Sequence, residues 1–244
     1  MNLNLVGKQA LVTGGTRGIG LATPRLLAGE GAMVLCTGTK PSSFPNADAE
    51  NQIRFLSVDF TNPADFRLFR DSVLRQESID ILVNNAGINR IKKIEETDDG
   101  DLRALLSVNL EAPFLLCRDI IPGMKQRGFG RIVNLGSIWS VVTKSGRSMY
   151  TMAKHGLIGL TKTLAVEGAP HGVLVNAVSP GFTNTELTAA SLSREEVRQL
   201  TSQIPMGRLA ETEEIARVIT FLCSPQNTYL TGQNVVVDGG FTHV

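Results

Sequence analysis

The sequence predicts a single α/β domain spanning residues 1–244, a doubly wound and mainly parallel seven-stranded sheet flanked by helices. Short β-branched runs alternate with longer segments of helical period, the pattern of successive βαβ units. Several of the runs are apolar throughout, as strands covered on both faces are. No repeat, low-complexity tract or linker interrupts the 244 residues, a length that one α/β domain accommodates.

The first strand is Gln9–Thr13 (QALVT), followed by a glycine cluster and the helical pattern Ile19–Glu30. Pro24 falls inside that pattern. It removes the bond to the Gly20 carbonyl at a cost of about 3 kcal/mol in a helix interior, so a local kink is expected. Met33–Thr37 is the second strand. The crossover Thr39–Gln52 carries prolines at 41 and 45 and has room for at most a short helix. Strands then follow at Ile53–Ser57, Ile79–Asn84, Arg131–Leu135, Val173–Val178 and Asn234–Val237. The helical patterns between them are Ala64–Gln76, Asp101–Lys125, Tyr150–Glu167 and Glu213–Leu222. Crossovers of this kind are right-handed.

Composition narrows the function. With 24 basic and 23 acidic residues interleaved, the chain has no field that favours nucleic acid or an anionic membrane. Cys36, Cys117 and Cys223 sit in apolar stretches and read as buried thiols. His155, His171 and His243 lie far apart, and none pairs with a Cys or Glu at ligand spacing, so no metal site is expected. No apolar run approaches membrane-spanning length and the N-terminus does not read as a signal peptide. A soluble cytoplasmic protein is expected.

Two motifs carry chemistry. In Thr13-Gly14-Gly15-Thr16-Arg17-Gly18-Ile19-Gly20 a strand turns into a helix. Glycines permit the tight turn, and free N–H groups at a helix start favour a pyrophosphate. Tyr150 and Lys154 stand four apart at the start of a helical pattern, on one face. A cation at about 4 Å is worth roughly 4 kcal/mol at an effective dielectric of about 20, which would lower the phenol toward neutrality. Ser137, after the fifth strand, is either a helix cap or a donor to a carbonyl oxygen on which charge develops.

The motif T-G-x-x-x-G-I-G resembles the cofactor fingerprint of the classical short-chain dehydrogenases/reductases. The match continues through Asp59, Asn84-Asn85-Ala86-Gly87, Asn109, Ser137, Tyr150-x-x-x-Lys154, Pro180-Gly181 and Val237-Asp238-Gly239-Gly240. The chain is most similar to bacterial 3-oxoacyl-acyl-carrier-protein reductases. The resemblance implies a Rossmann-type domain and an enzyme that reduces a carbonyl by hydride transfer. It implies Asn109, Ser137, Tyr150 and Lys154 as the catalytic set: Tyr150 moves the proton, and Asn109 holds a water that relays protons from Lys154. Gly14, Thr16, Arg17, Gly18, Ile19 and Gly20 would line the cofactor, together with Thr39, Tyr150 and Lys154. Asp59 would meet adenine; Asn85, Ala86 and Gly87 would line the cofactor and steady the central strands. Pro180, Gly181, Thr183 and Thr185 would hold the carboxamide and phosphates.

NAD-specific enzymes place an acid at the end of the second strand, where this chain has Gly38. Arg17, Thr39 and Lys40 would instead attract a 2′-phosphate, so NADP(H) is favoured over NAD(H). Substrate contacts are expected from residues 88–97, 138–149 and 182–205, the last including a mobile helical lid. Trp139 would wall the pocket or pack under the lid, and Lys144 and Arg147 would meet an anionic substrate or face water. Lys125, Arg127 and Arg131 could offer basic surface to an acyl carrier protein; His171 stands where the resemblance implies a further cation. Other small alcohols and ketones, sugars included, remain alternative substrates. A non-catalytic NADP-sensing protein is a further alternative. Ala153, Gly156 and Gly159 would allow close helix packing between subunits of a homotetramer.

Overall fold

The computed structural model describes residues 3–40, 52–72, 74–185 and 193–244. Seven strands form one parallel sheet in the order β3-β2-β1-β4-β5-β6-β7. They are β1 Gln9–Val12, β2 Met33–Gly38, β3 Ile53–Ser57, β4 Ile81–Asn84, β5 Gly130–Leu135, β6 Val173–Pro180 and β7 Asn234–Val237. The helices are α1 Gly18–Gly29, α2 Pro63–Ser72, α3 Asp99–Leu106, α4 Ala112–Arg127, α5 Ser148–Gly168, α6 Arg194–Thr201 and α7 Thr212–Cys223. The expected strands are all present, with shifts of a residue or two at their ends.

The apolar strands alternate their side chains between two cores. Leu11, Leu35, Leu82, Ile132 and Val175 face a cluster that includes Phe66 and Phe69 of α2 and Leu116 of α4. Ala10, Val12, Val34, Cys36, Val83 and Val133 face the other side, with Leu27 of α1 and Ile215 and Ile219 of α7. Both faces of the central strands are therefore dry, and only the strand ends are left for polar work. All three cysteines are buried, and burial pushes the Cys36 and Cys117 thiols up to about 12. No helix among the described residues is long and apolar enough to cross a membrane.

Several expectations change. α1 runs continuously through Pro24, which is buried; the Thr23 hydroxyl donates to the Ile19 carbonyl at 2.8 Å. The crossover at 41–51 lies outside the described residues, as does 186–192 within the expected lid; Arg194–Thr201 is helical. The expected single helix over Asp101–Lys125 is instead α3, a π-helical turn at Ser107–Glu111, and α4. Arg131 is not surface: it is 6% exposed, and its guanidinium donates to the carbonyls of Gly130, Gly172, Ser224 and Asn227. Arg127 is held by Asp80 and the Ile79 carbonyl. Ala153 is wholly buried within the subunit, whereas Gly156, beside Leu110, and Gly159 are both exposed.

Candidate active site

Strand order reverses between β1 and β4, and in open parallel sheets the crevice beyond such a switch point takes the ligand. Here the two strand ends are stitched together. The Thr13 hydroxyl accepts the backbone N–H of Asn85 and of Ala86, each at 3.0 Å. Asn85 Nδ2 donates to the carbonyls of Thr13 and Gly14 at 2.9 and 3.0 Å. Gly14 has φ +66°, and a Cβ on Gly20 would lie 2.0 Å from the Gly14 carbonyl oxygen. The turn is thus packed backbone to backbone. Thr13 was not among the expected site residues; its position at the strand end beside the glycines is the signal for it.

α1 starts at Gly18, and Arg17 at its N-cap makes no side-chain capping bond. The first-turn N–H groups therefore lack a side-chain partner from the cap and suit a phosphate. Thr16 and Ile19 are half-buried, and Arg17, Thr39 and Lys40 are exposed at the adjoining ends of β1 and β2. Pro180 ends β6, Thr183 bonds the Gly181 carbonyl at 3.2 Å, and Thr185 reaches back to Gly18. Asp59 Oδ1 accepts both the N–H and the hydroxyl of Thr61, which fixes the turn after β3. The positive-φ glycine, the uncapped helix start and the missing acid at Gly38 fit a nicotinamide dinucleotide.

Ser137 fills the capping role expected of it. It caps a single helical turn, accepting the Trp139 N–H at 3.3 Å, and its hydroxyl lies near enough to the Tyr150 phenol to favour the phenolate. A buried polar ring holds its backbone. Ser179 Oγ accepts the Ser137 N–H at 3.2 Å and donates to Asn234 Oδ1 at 2.6 Å, while Ser140 Oγ donates to the Ser137 carbonyl at 2.6 Å. Asn109 reaches Ile88 from the π-helical turn, accepting its N–H and donating to its carbonyl, both at 2.8 Å. Gly87 lies between Asn109 and Lys154. The four predicted catalytic residues and the 85–88 segment therefore meet at one end of the sheet.

Lys154 is buried, donates to the Leu135 carbonyl at 2.5 Å and lies 5.5 Å from the Tyr150 ring centroid. The expected lowering of the phenol by Lys154 is not found. Burial raises Tyr150 above its ordinary 10, and the Ser137 hydroxyl and the charge of Arg147 only partly oppose this. The ammonium lies over the ring and is engaged by Leu135, and burial pulls its own pKa down to about 8. This depression has a testable sign. Below pH 8 the lysine is charged in both folded and unfolded chains, and folding carries the full desolvation cost. Between about pH 8 and 10.5 the unfolded chain binds the extra proton, so stability rises with pH. Urea titrations of the nucleotide-free protein should show it gaining about 3 kcal/mol over Lys154→Met across that window. A flat difference would mean that Lys154 keeps an ordinary pKa.

A cleft of about 780 Å³ opens against Trp139, two residues after Ser137, and is walled also by Val142, Lys144, Pro205, Phe241 and Thr242; Ser137, Tyr150 and Lys154 are not among the residues that line it. Trp139 packs edge-on to Phe182, which packs edge-on to Phe241. Trp139 thus walls the cleft. Residues 88–97 are tied to the 138–149 loop, because the Lys92 N–H donates to the Gly146 carbonyl at 3.2 Å.

Comparison with known proteins agrees with this geometry. Residues 14–242 match the family model described as enoyl-(acyl carrier protein) reductase. The chain is 41% identical to 3-oxoacyl-[acyl-carrier-protein] reductase FabG of Aquifex aeolicus, over 98% of this chain and 99% of that one. It is 36% identical to the FabG of Escherichia coli K12, over 98% of both chains. Among solved structures it resembles a gluconate 5-dehydrogenase from Burkholderia cenocepacia in complex with NADP and tartrate, with a TM-score of 0.90, 30% identity, and coverage of 100% of this chain and 98% of that one. From its fold, its strand-end crevice and these relatives, the chain belongs to the short-chain dehydrogenase/reductase family and is an NAD(P)-dependent oxidoreductase.

Proposed function

We propose that the protein uses NADPH to reduce a carbonyl to an alcohol, with Tyr150 as the proton donor. The observation that carries this reading is the convergence of Ser137, Tyr150 and a buried Lys154, whose ammonium lies 5.5 Å from the Tyr150 ring centroid and donates to the Leu135 carbonyl at the end of β5. The dinucleotide, when bound, supplies the hydride. Gly14, Thr16, Gly18, Ile19 and Gly20 would hold its pyrophosphate, Asp59 its adenine, and Asn85, Ala86 and Gly87 its middle. Pro180, Gly181, Thr183 and Thr185 would hold the nicotinamide end.

Ser137 orients the carbonyl oxygen and Tyr150 gives it a proton. Burial keeps the phenol protonated at neutral pH, which suits donation and therefore reduction. Lys154 would bind the nicotinamide ribose and return a proton to Tyr150. Asn109 has its side chain committed to Ile88, so a relay water would use its main-chain carbonyl. That carbonyl lacks its α-helical partner because Pro113, four residues on, has no N–H.

The relatives favour a 3-oxoacyl thioester as substrate, with the acyl group presented on an acyl carrier protein. The burial of Arg131 removes one of the cations expected at such a docking surface. A second reading, a polyhydroxy acid or sugar, is favoured by the gluconate 5-dehydrogenase likeness. We further infer a homotetramer in the cytoplasm. An assay of a 3-oxoacyl thioester, 5-ketogluconate and simple ketones with NADPH and NADH tests these readings. NADPH should be preferred, and Arg17→Ala should raise its KM about 10- to 100-fold with little change for NADH, the loss of one charge-assisted contact. Equal use of both cofactors by the native enzyme would overturn the NADP(H) assignment.

A further inference from the structure

Arg147 is half-buried, and its guanidinium lies 5.3 Å from the centroid of the Trp139 ring. Among the described residues its side chain has no carboxylate partner and no hydrogen bond. Arg70 pairs with Asp119, Arg208 with Glu214, and Arg131 with four carbonyls. A guanidinium drawn out of water without a counter-ion is costly, and a ligand that supplies the anion removes the cost.

Its location says where that anion would lie. Arg147 is the N-cap residue of α5, three residues before Tyr150, and its charge is felt at the phenol. Trp139 carries the guanidinium on its ring and also walls the cleft. Lys144 of the same loop lines that cleft, and no aspartate or glutamate does among the described residues. The local field is positive, close to the carbonyl that Tyr150 and Ser137 would hold.

We propose that Arg147, assisted by Lys144, receives a carboxylate of the substrate, so that the compound reduced is an oxo acid whose carboxylate lies a few bonds from its carbonyl. This rests on the reductase reading and narrows it. A 3-oxoacyl thioester is neutral at that distance and leaves the guanidinium unpaired. An oxo acid of the sugar series, or a short aliphatic one, pairs it. The planar donor fork of arginine matches a carboxylate in two-point fashion.

The sequence provides a reporter, because Trp139 is the sole tryptophan. Its emission is followed in the enzyme saturated with NADP⁺, where no turnover occurs. The titrants are acetoacetate and 4-oxopentanoate, their methyl esters, and 5-ketogluconate. The acids should bind about tenfold or more tightly than the esters, and Arg147→Gln should abolish that preference while Arg147→Lys keeps part of it. Lys144→Gln should weaken it less. In parallel, NADPH oxidation is measured with the same compounds. Activity is compared as the acid-to-ester ratio of kcat/KM, in which any effect of Arg147 on the phenol cancels.

Equal binding of acids and esters by the native enzyme, which needs no variant, overturns the proposal. So does an acid preference that survives Arg147→Gln. Reduction of the esters with no advantage for the acids overturns the carboxylate site and leaves the reductase reading standing. Arg147-dependent binding of the acids with no reduction of any carbonyl supports the site and overturns the reductase reading.

Discussion

Tyr150→Phe should lose about 10³-fold in kcat with its carbonyl substrate while binding NADPH as the native enzyme does. General acid catalysis is commonly worth about 10²- to 10⁴-fold, and phenylalanine keeps the ring while removing the one proton in position to be given. The ring is packed against Leu105, Met149 and Ala153, so the substitution keeps the volume of that cluster. The hydroxyl it removes leaves Ser137 still capping its turn through the Trp139 N–H. Steady-state turnover and a fluorescence titration of NADPH check the two halves separately. Turnover within threefold of native would remove Tyr150 from the reaction, and lost NADPH affinity would make its role one of cofactor binding.

Gly20→Ala should be severely damaging. The added Cβ would fall 2.0 Å from the Gly14 carbonyl oxygen and 2.4 Å from Asn85 Nδ2. Neither neighbour can move independently, since Asn85 Nδ2 also holds the Thr13 and Gly14 carbonyls. The expected cost is about 3 kcal/mol or more, the upper range for overpacking, with NADPH binding lost as α1 is pushed from the turn. Urea midpoints and NADPH titration measure both. Stability within about 0.5 kcal/mol of native and unchanged affinity would show that the turn relaxes freely.

The sheet was legible because buried parallel strands leave short β-branched apolar runs that alternate with longer segments of helical period. The cradle was legible because its chemistry is backbone chemistry, and glycine advertises it. The π-helical turn was not. Apolar residues continue across Ser107–Glu111, so the change of pitch leaves no gap in the pattern; only Pro113, denying Asn109 its usual partner, hints at it. Arg131 was misplaced because its partners are carbonyls at 130, 172, 224 and 227, and a sequence does not show main-chain oxygens converging. The phenol of Tyr150 was misjudged for a related reason. Counting a nearby cation is possible from spacing, whereas the loss of water around the phenolate depends on the packed surroundings.

The Lys92–Gly146 bond couples the 88–97 segment to the loop that walls the cleft. An insertion in one shifts the anchor of the other, and with it the residue next along, Arg147. Laboratory evolution of new specificities from this scaffold should therefore yield paired length changes in both segments far more often than isolated ones.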